Sequence, residues 1–199
     1  DATSNVFSIK TNVDSSNKST ESESVPSLQK SIEIAQSALA SSGISGQTEL
    51  TYSSHTEDVL GGESGVQTVL NRKIKFKQFL AGFQSLSQAG SVEVMIGKGG
   101  IVNEITGSLL AVEDQTSSNF QVADANSNLS SMSSKALDAI AKKHPGAQYQ
   151  IVDQKIGYDA GNFFELKSNA KAVAEFTIED LSKKSISSIL AFEVTETSE

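Results

Sequence analysis

The sequence contains no cysteine, which removes a disulfide framework, a thiolate nucleophile and a cysteine-ligated zinc site together. It has two histidines, His55 and His144, too few for the multi-histidine centres of zinc enzymes. Tryptophan is absent and aromatic residues make up only 6%. Arg72 is the single arginine among sixteen cations, so an arginine cluster that forks onto phosphate is not available. The formal charge of −8 opposes nucleic-acid binding, which rests on neutralising phosphates with a basic patch. Apolar runs stop after a few residues, short of a bilayer span. What is abundant is serine, 33 residues, thirteen of them before Gln47. With 37% hydrophobic residues in 199, the chain can bury one large core or two small ones. An acidic, serine-rich, cysteine-free chain beginning at Asp1 without a leader suits a mature exported protein, secreted or periplasmic.

Periodicity divides the chain. Val6 to Lys10 reads as a short strand, and Thr11 to Ser24 as a polar linker too poor in apolar residues to order itself. Leu28, Ile32, Ala35 and Leu39 recur at helical spacing, which predicts a helix over 27–42 that stops at Gly43. Leu50 and Tyr52 suggest a strand, and Asp58 to Gly65 a loop carrying Gly61 and Gly62. From Val66 to Leu80 the pattern alternates. Lys73, Lys75 and Lys77 face one way, and Arg72, Ile74, Phe76 and Gln78 the other. Ser91 to Gly97 and Ile101 to Leu110 read as antiparallel partners joined by the tight turn Lys98-Gly99-Gly100.

Glu113 to Ser131 is a second polar stretch, an exposed connection. Ser133 or Ser134 can cap a helix through Lys143, with Met132, Ala136, Leu137, Ile140 and Ala141 on its apolar side. Strands then follow at Tyr149–Ile156, Asn162–Ser168, Lys171–Ile178 and Ser185–Val194, with Asp159-Ala160-Gly161 as a turn. Helix followed by strands, twice, predicts an α+β fold of two helix-on-antiparallel-sheet halves.

Residues that could carry chemistry have plainer readings beside them. Asp124, Asn126 and Asn128 imitate half of a calcium loop, but Leu129 replaces the required glycine and Lys135 the bidentate acid. Ser54, His55 and Asp58 are the residue types of a hydrolytic triad. Adjacent strand residues point to opposite faces, however, and no GxSxG surrounds the serine. The lysine row could grip an acidic partner, though such a row is more often a solvated strand face. His144 ends a helix, where a histidine complements the carbonyl dipole. Lys98-Gly99-Gly100 leads into a strand, not the helix of a phosphate loop. Asn17 and Asn128 head glycosylation sequons, which matter only in a eukaryotic secretory pathway. No HExxH is present. The expectation is a non-enzyme with no catalytic residue, no metal and no cofactor.

One stretch is more specific. Phe76-Lys77-Gln78-Phe79-Leu80-Ala81-Gly82-Phe83, Val92-Glu93-Val94-Met95-Ile96, Gly99-Gly100-Ile101-Val102 and Ile105-Thr106-Gly107-Ser108-Leu109 follow in order. Together they resemble the propeptide motif of fungalysin and thermolysin precursors. Gln78, Gly82, Gly100 and Gly107 fall on the positions which that pattern keeps. Ser133 to Ala147, ending in His144-Pro145-Gly146-Ala147, resembles the opening of a PepSY domain, which follows the motif in many such precursors. The chain departs from the pattern at Phe83-Gln84-Ser85-Leu86-Ser87, where the family has a proline-containing apolar segment.

Polar composition marks a mobile segment over 1–25 and a linker over 113–131, and the resemblance implies a propeptide-motif half over 26–112 and a PepSY-like half over 132–199. It implies a propeptide that assists folding of a secreted thermolysin-like zinc metalloprotease and inhibits it. The tail Thr195, Glu196, Thr197, Ser198 and Glu199 would lie in the active-site cleft, the terminal carboxylate near the zinc. The partner would be the protease catalytic domain, with neither nucleic acid nor membrane. A free-standing exported module that binds peptide or protein by its sheet edge, or a surface adhesin fragment, is the alternative.

Overall fold

Alternation of apolar residues decides most of the architecture. The structure, a computed structural model, describes residues 5–10, 24–46, 48–61, 67–80, 83–110, 122–161 and 166–193. Its strands are β1 (Asn5–Lys10), β2 (Glu49–Gly61), β3 (Gln67–Leu80), β4 (Phe83–Ser85), β5 (Ser91–Ile96), β6 (Val102–Leu109), β7 (Tyr149–Gly161), β8 (Leu166–Asp180) and β9 (Ser185–Glu193). The helices are α1 (Leu28–Ser41) and α2 (Val122–Lys143). All nine strands belong to one mixed sheet ordered β1-β6-β5-β3-β4-β7-β8-β9, with β2 on the other side of β3.

Ser27 caps α1 by accepting from Lys30 N, and the left-handed Gly43 follows its C-terminal end. The helix lays Ala35 and Leu39 on Ile74, Phe76, Val92, Val94, Ile96 and Ile105. Phe76 and Tyr52 meet edge to face, their centroids 6.5 Å apart. Further along, α2 sets Met132, Ala136 and Ile140 on Ala174, Phe176 and Ile178. A third cluster of Leu80, Ala89, Leu110 and Tyr158 fills the junction between them. Register puts both helices on one face. Leu80 opposes Phe83, Ser85 pairs with Tyr158, and Tyr158 opposes Ala172, two residues before the buried Ala174. The lysine row lies on the other, open face.

The expected α+β pair of helix-on-sheet halves does not form. Strands take 57% of the described residues and helices 25%, so the fold is mostly sheet. That sheet runs unbroken across the expected division. The joint is β4, only three residues long, which pairs in parallel with β7 through Gln84↔Gly157 and Ser85↔Tyr158. Leu86 N to Tyr158 O (3.0 Å) and Ala89 N to Gly161 O (3.2 Å) extend it.

Local boundaries differ too. β2 continues to Gly61 through the expected loop, because Asp58 to Gly61 still pair with β3. β7 runs through Asp159-Ala160-Gly161, a register shift standing where a turn was expected. β8 runs unbroken through 169–170, where a gap between two strands was expected, and 162–165 lie outside the described residues. α2 starts at Val122, well before Ser133, so 122–131 is helix rather than connection. The expected linker over 11–24 lies outside the described residues except for Ser24.

Candidate functional site

Gln78 stands at the joint on the buried face of β3, and its amide is fully engaged. Nε2 donates to Thr48 Oγ1 at 2.9 Å and to Leu110 O at 3.0 Å. Oε1 accepts from Leu110 N at 3.1 Å and lies 3.3 Å from the Tyr158 hydroxyl. The one hydroxyl proton is shared between Oε1 and the Gln78 carbonyl, 3.1 Å away. Two donors and two acceptors are all that an amide side chain offers. Gln78 therefore ties β3, the end of β6 and β7 together, and has no capacity left for a reactant. Burial pushes the Tyr158 hydroxyl well above the ordinary tyrosine range, against a smaller opposing effect from Ser85.

Two of the motif glycines, Gly100 and Gly107, also sit where a side chain does not fit. Gly107 pairs with Phe7 of β1, and a Cβ there would come within 2.5 Å of Phe7 Cζ and 3.0 Å of Val92 Cγ2. Gly100 has φ +80° in the turn below α1, and its Cβ would meet Ile34 Cδ1 at 2.9 Å. Gly82 and the tail Thr195 to Glu199 lie outside the described residues.

Arg72 is a second buried polar node. Its Nε and Nη2 donate to Glu57 Oε1 at 2.8 and 2.6 Å, and Nη1 to Ser31 Oγ at 3.0 Å and to Pro26 O. One guanidinium thus fastens the start of α1 and strand β2 to the sheet. Arg72→Ala should destabilise the chain by about 2 kcal/mol, since it strands these acceptors in a largely desolvated place. Urea melts measure this, and a change below about 0.5 kcal/mol would contradict the anchoring role.

On the open face the lysine row is largely neutralised in place. Lys73 lies 3.6 Å from Asp58 and Lys75 3.5 Å from Glu93, while Lys77 donates to Ser87 O. Lys73, Glu93, Met95, Glu104 and Thr106 line a shallow groove of about 200 Å³. Mixed charge leaves it without strong preference for an acidic partner. Burial pushes the Lys77 pKa down to about 8, with Lys75 adding to the fall and Glu175 and Glu93 opposing it.

Between about pH 8 and 10.5 an unfolded lysine holds a proton that folded Lys77 has shed, so stability rises with pH there. Tyr158 works in the opposite sense. Its contribution is complete below pH 10.0, its ordinary value, and is lost as pH climbs further. Urea melts should therefore show stability rising from about pH 8 to 10, and Lys77→Met should flatten the rise. Equal slopes in the two proteins would contradict this assignment.

The remaining candidates do not assemble. Ser54 and Asp58 face the open side of β2 and His55 the helix side, by their pairing with Lys75, Asn71 and Ile74. The Nδ1 atom of His55 is 3.0 Å from the Tyr52 hydroxyl, not from a serine. Positions 124–128 are helical, so they do not form a calcium loop. Exposed His144 closes α2 by a backbone bond to Ile140 O at 3.1 Å. Among the described residues no group of three or more acidic or histidine side chains could hold a metal ion. No described helix is long and apolar enough to cross a membrane.

Tyr158 and Thr48, the partners of Gln78, were not singled out by sequence reasoning. The sequence signals at this place were the motif position of Gln78 and its seat on a strand face beside Ile74 and Phe76. No protein-family model matches this chain, and no curated protein or solved structure matches it either.

Proposed function

We propose that this chain is a non-catalytic propeptide, exported with a thermolysin-like zinc metalloprotease whose folding it assists and whose activity it inhibits. The observation that supports this reading is the use made of the motif positions. Gln78 is the buried tie of the sheet, and Gly100 and Gly107 occupy places closed to a side chain. Three of the four motif positions therefore coincide with places that this fold constrains. In this reading the folded body supplies contact area, and Thr195 to Glu199 enters the substrate cleft as an extended strand.

The test is titration of the full chain into a thermolysin-type zinc endopeptidase with a fluorogenic peptide substrate. Saturable inhibition is expected, weakened at least about tenfold, or 1.4 kcal/mol, when Thr195 to Glu199 is deleted. Equal inhibition by both forms would remove the cleft-tail mechanism. Absence of both inhibition and binding would remove the propeptide reading.

A free-standing peptide-binding module is the second reading. It is favoured by β9, whose outer edge carries no further strand among the described residues and whose Ile189 is exposed. In that case Ile189→Pro would abolish peptide capture by blocking the edge.

A further inference from the structure

Five basic residues gather at one end of the sheet in a chain of formal charge −8. The end of α2 supplies Lys142 and Lys143 with His144 beside them, and the β8–β9 turn supplies Lys183 and Lys184. All five are exposed. The two loops are bound to each other, since Tyr149 pairs with Asp180 and Leu181 N donates to Gln148 O at 3.0 Å. The four lysines stand beside two carboxylates, Asp180, which Lys183 approaches, and Glu179, which accepts from Gln150, so the tip carries a local excess of positive charge in an otherwise acidic chain.

The turn is tightly built. Asp180, 3% exposed, accepts from Ser182 N at 2.9 Å, Ser182 Oγ at 2.5 Å and Lys183 N at 3.3 Å through its carboxylate. Its carbonyl accepts from Lys183 N at 3.2 Å and Lys184 N at 2.8 Å. Lys184 is held at φ 50°, the left-handed region that lysine seldom adopts. The Lys183 ammonium lies 3.5 Å from the Asp180 carboxylate yet stays mostly in solvent.

Aliphatic side chains share the tip. Leu181 is 40% and Ile186 65% exposed, before and after the lysine pair along the chain, with Ile186 opposite Glu179. Lys142 and Lys143 have an ordinary role in complementing the carbonyl end of α2. That role does not reach Lys183 and Lys184, nor does it explain exposed aliphatics beside them. A soluble polyanion would contact only the cations. An end that presents exposed lysines together with two exposed aliphatics matches a surface that is anionic outside and apolar just beneath.

We propose that this tip docks the protein on an anionic lipid surface, the lysines against headgroups and Leu181 and Ile186 in the interfacial layer. The proposal is independent of the propeptide reading. It replaces the expectation of no membrane partner, which rested on the lack of a spanning segment, because surface docking needs no span.

The test is co-sedimentation of the full chain with vesicles of three parts phosphatidylcholine to one part phosphatidylglycerol, against phosphatidylcholine alone. Binding to the anionic vesicles only, weakening with salt, is expected. K183Q/K184Q should weaken it about thirtyfold, and Ile186→Ser roughly fivefold, with circular dichroism unchanged. Lack of binding to anionic vesicles, or unchanged binding by K183Q/K184Q, overturns the proposal. So does heparin binding as tight as vesicle binding together with no effect of Ile186→Ser, which would assign the tip to soluble polyanions. Capture by an acidic protein without vesicle binding would equally overturn it.

Discussion

Gln78→Leu should lower the stability of the chain by about 3 kcal/mol, the largest loss expected from any single polar side chain here. Leucine fits the volume but offers no polar atom. The Leu110 N–H and C=O, both in a buried place, would lose their partners, and the Thr48 hydroxyl would lose its donor. Tyr158 would lose Oε1 and keep the main-chain carbonyl of residue 78. Each stranded buried group costs about 1–3 kcal/mol, and relaxation around the site recovers part of the sum. For a chain of this size the midpoint of thermal unfolding should fall by roughly 6–12 °C. Thermal and urea melts would read both numbers, and a loss below about 1 kcal/mol would show that the amide is not the tie described.

Gly157→Ala should cost about 3 kcal/mol or more by forcing β4 off β7. A Cβ at this position would run into the backbone carbonyl of Gln84 and come within 2.5 Å of Leu86 Cγ. The carbonyl belongs to the paired strand, so it cannot step aside as a side-chain end would. The Ser85↔Tyr158 pair and the Leu86 N to Tyr158 O bond would be lost with it. The expected sign is a broadened or double transition in urea, because each helix keeps its own core after the joint opens. An alanine tolerated within about 0.5 kcal/mol would mean that the strands at the joint are not packed this closely.

The two variants act where the sequence was least legible. The alternation of Lys73, Lys75 and Lys77 with Ile74, Phe76 and Gln78 showed both faces of β3, because burial on one side of a pleated strand imposes a period of two. The stripe of Leu28, Ile32, Ala35 and Leu39 placed α1 for the analogous reason. β4 gave no such signal. Three residues are too few for a period, and their pairing with β7 spans more than seventy positions. It also falls where the chain departs from the propeptide pattern, at Phe83 to Ser87.

Serine misled the reading of α2. Ser133 and Ser134 look like caps but lie inside the helix, their hydroxyls bonding back to Leu129 O at 2.8 Å and Ser130 O at 3.3 Å. Of the candidate site, the resemblance pointed to Gln78, yet nothing local identified Tyr158, eighty residues away, as its partner. A contact of that range leaves no trace in periodicity.

One sheet runs through the Gln78–Tyr158 joint, with both helices on the same face. Native-state hydrogen exchange tests this most directly, through the amides of Ile74, Phe76, Phe176 and Ile178 in rising urea. One sheet predicts that all four merge into a single global opening with a common free energy and a common urea dependence. Two separate openings, with Ile74 and Phe76 exchanging at one free energy and Phe176 and Ile178 at another, would contradict it.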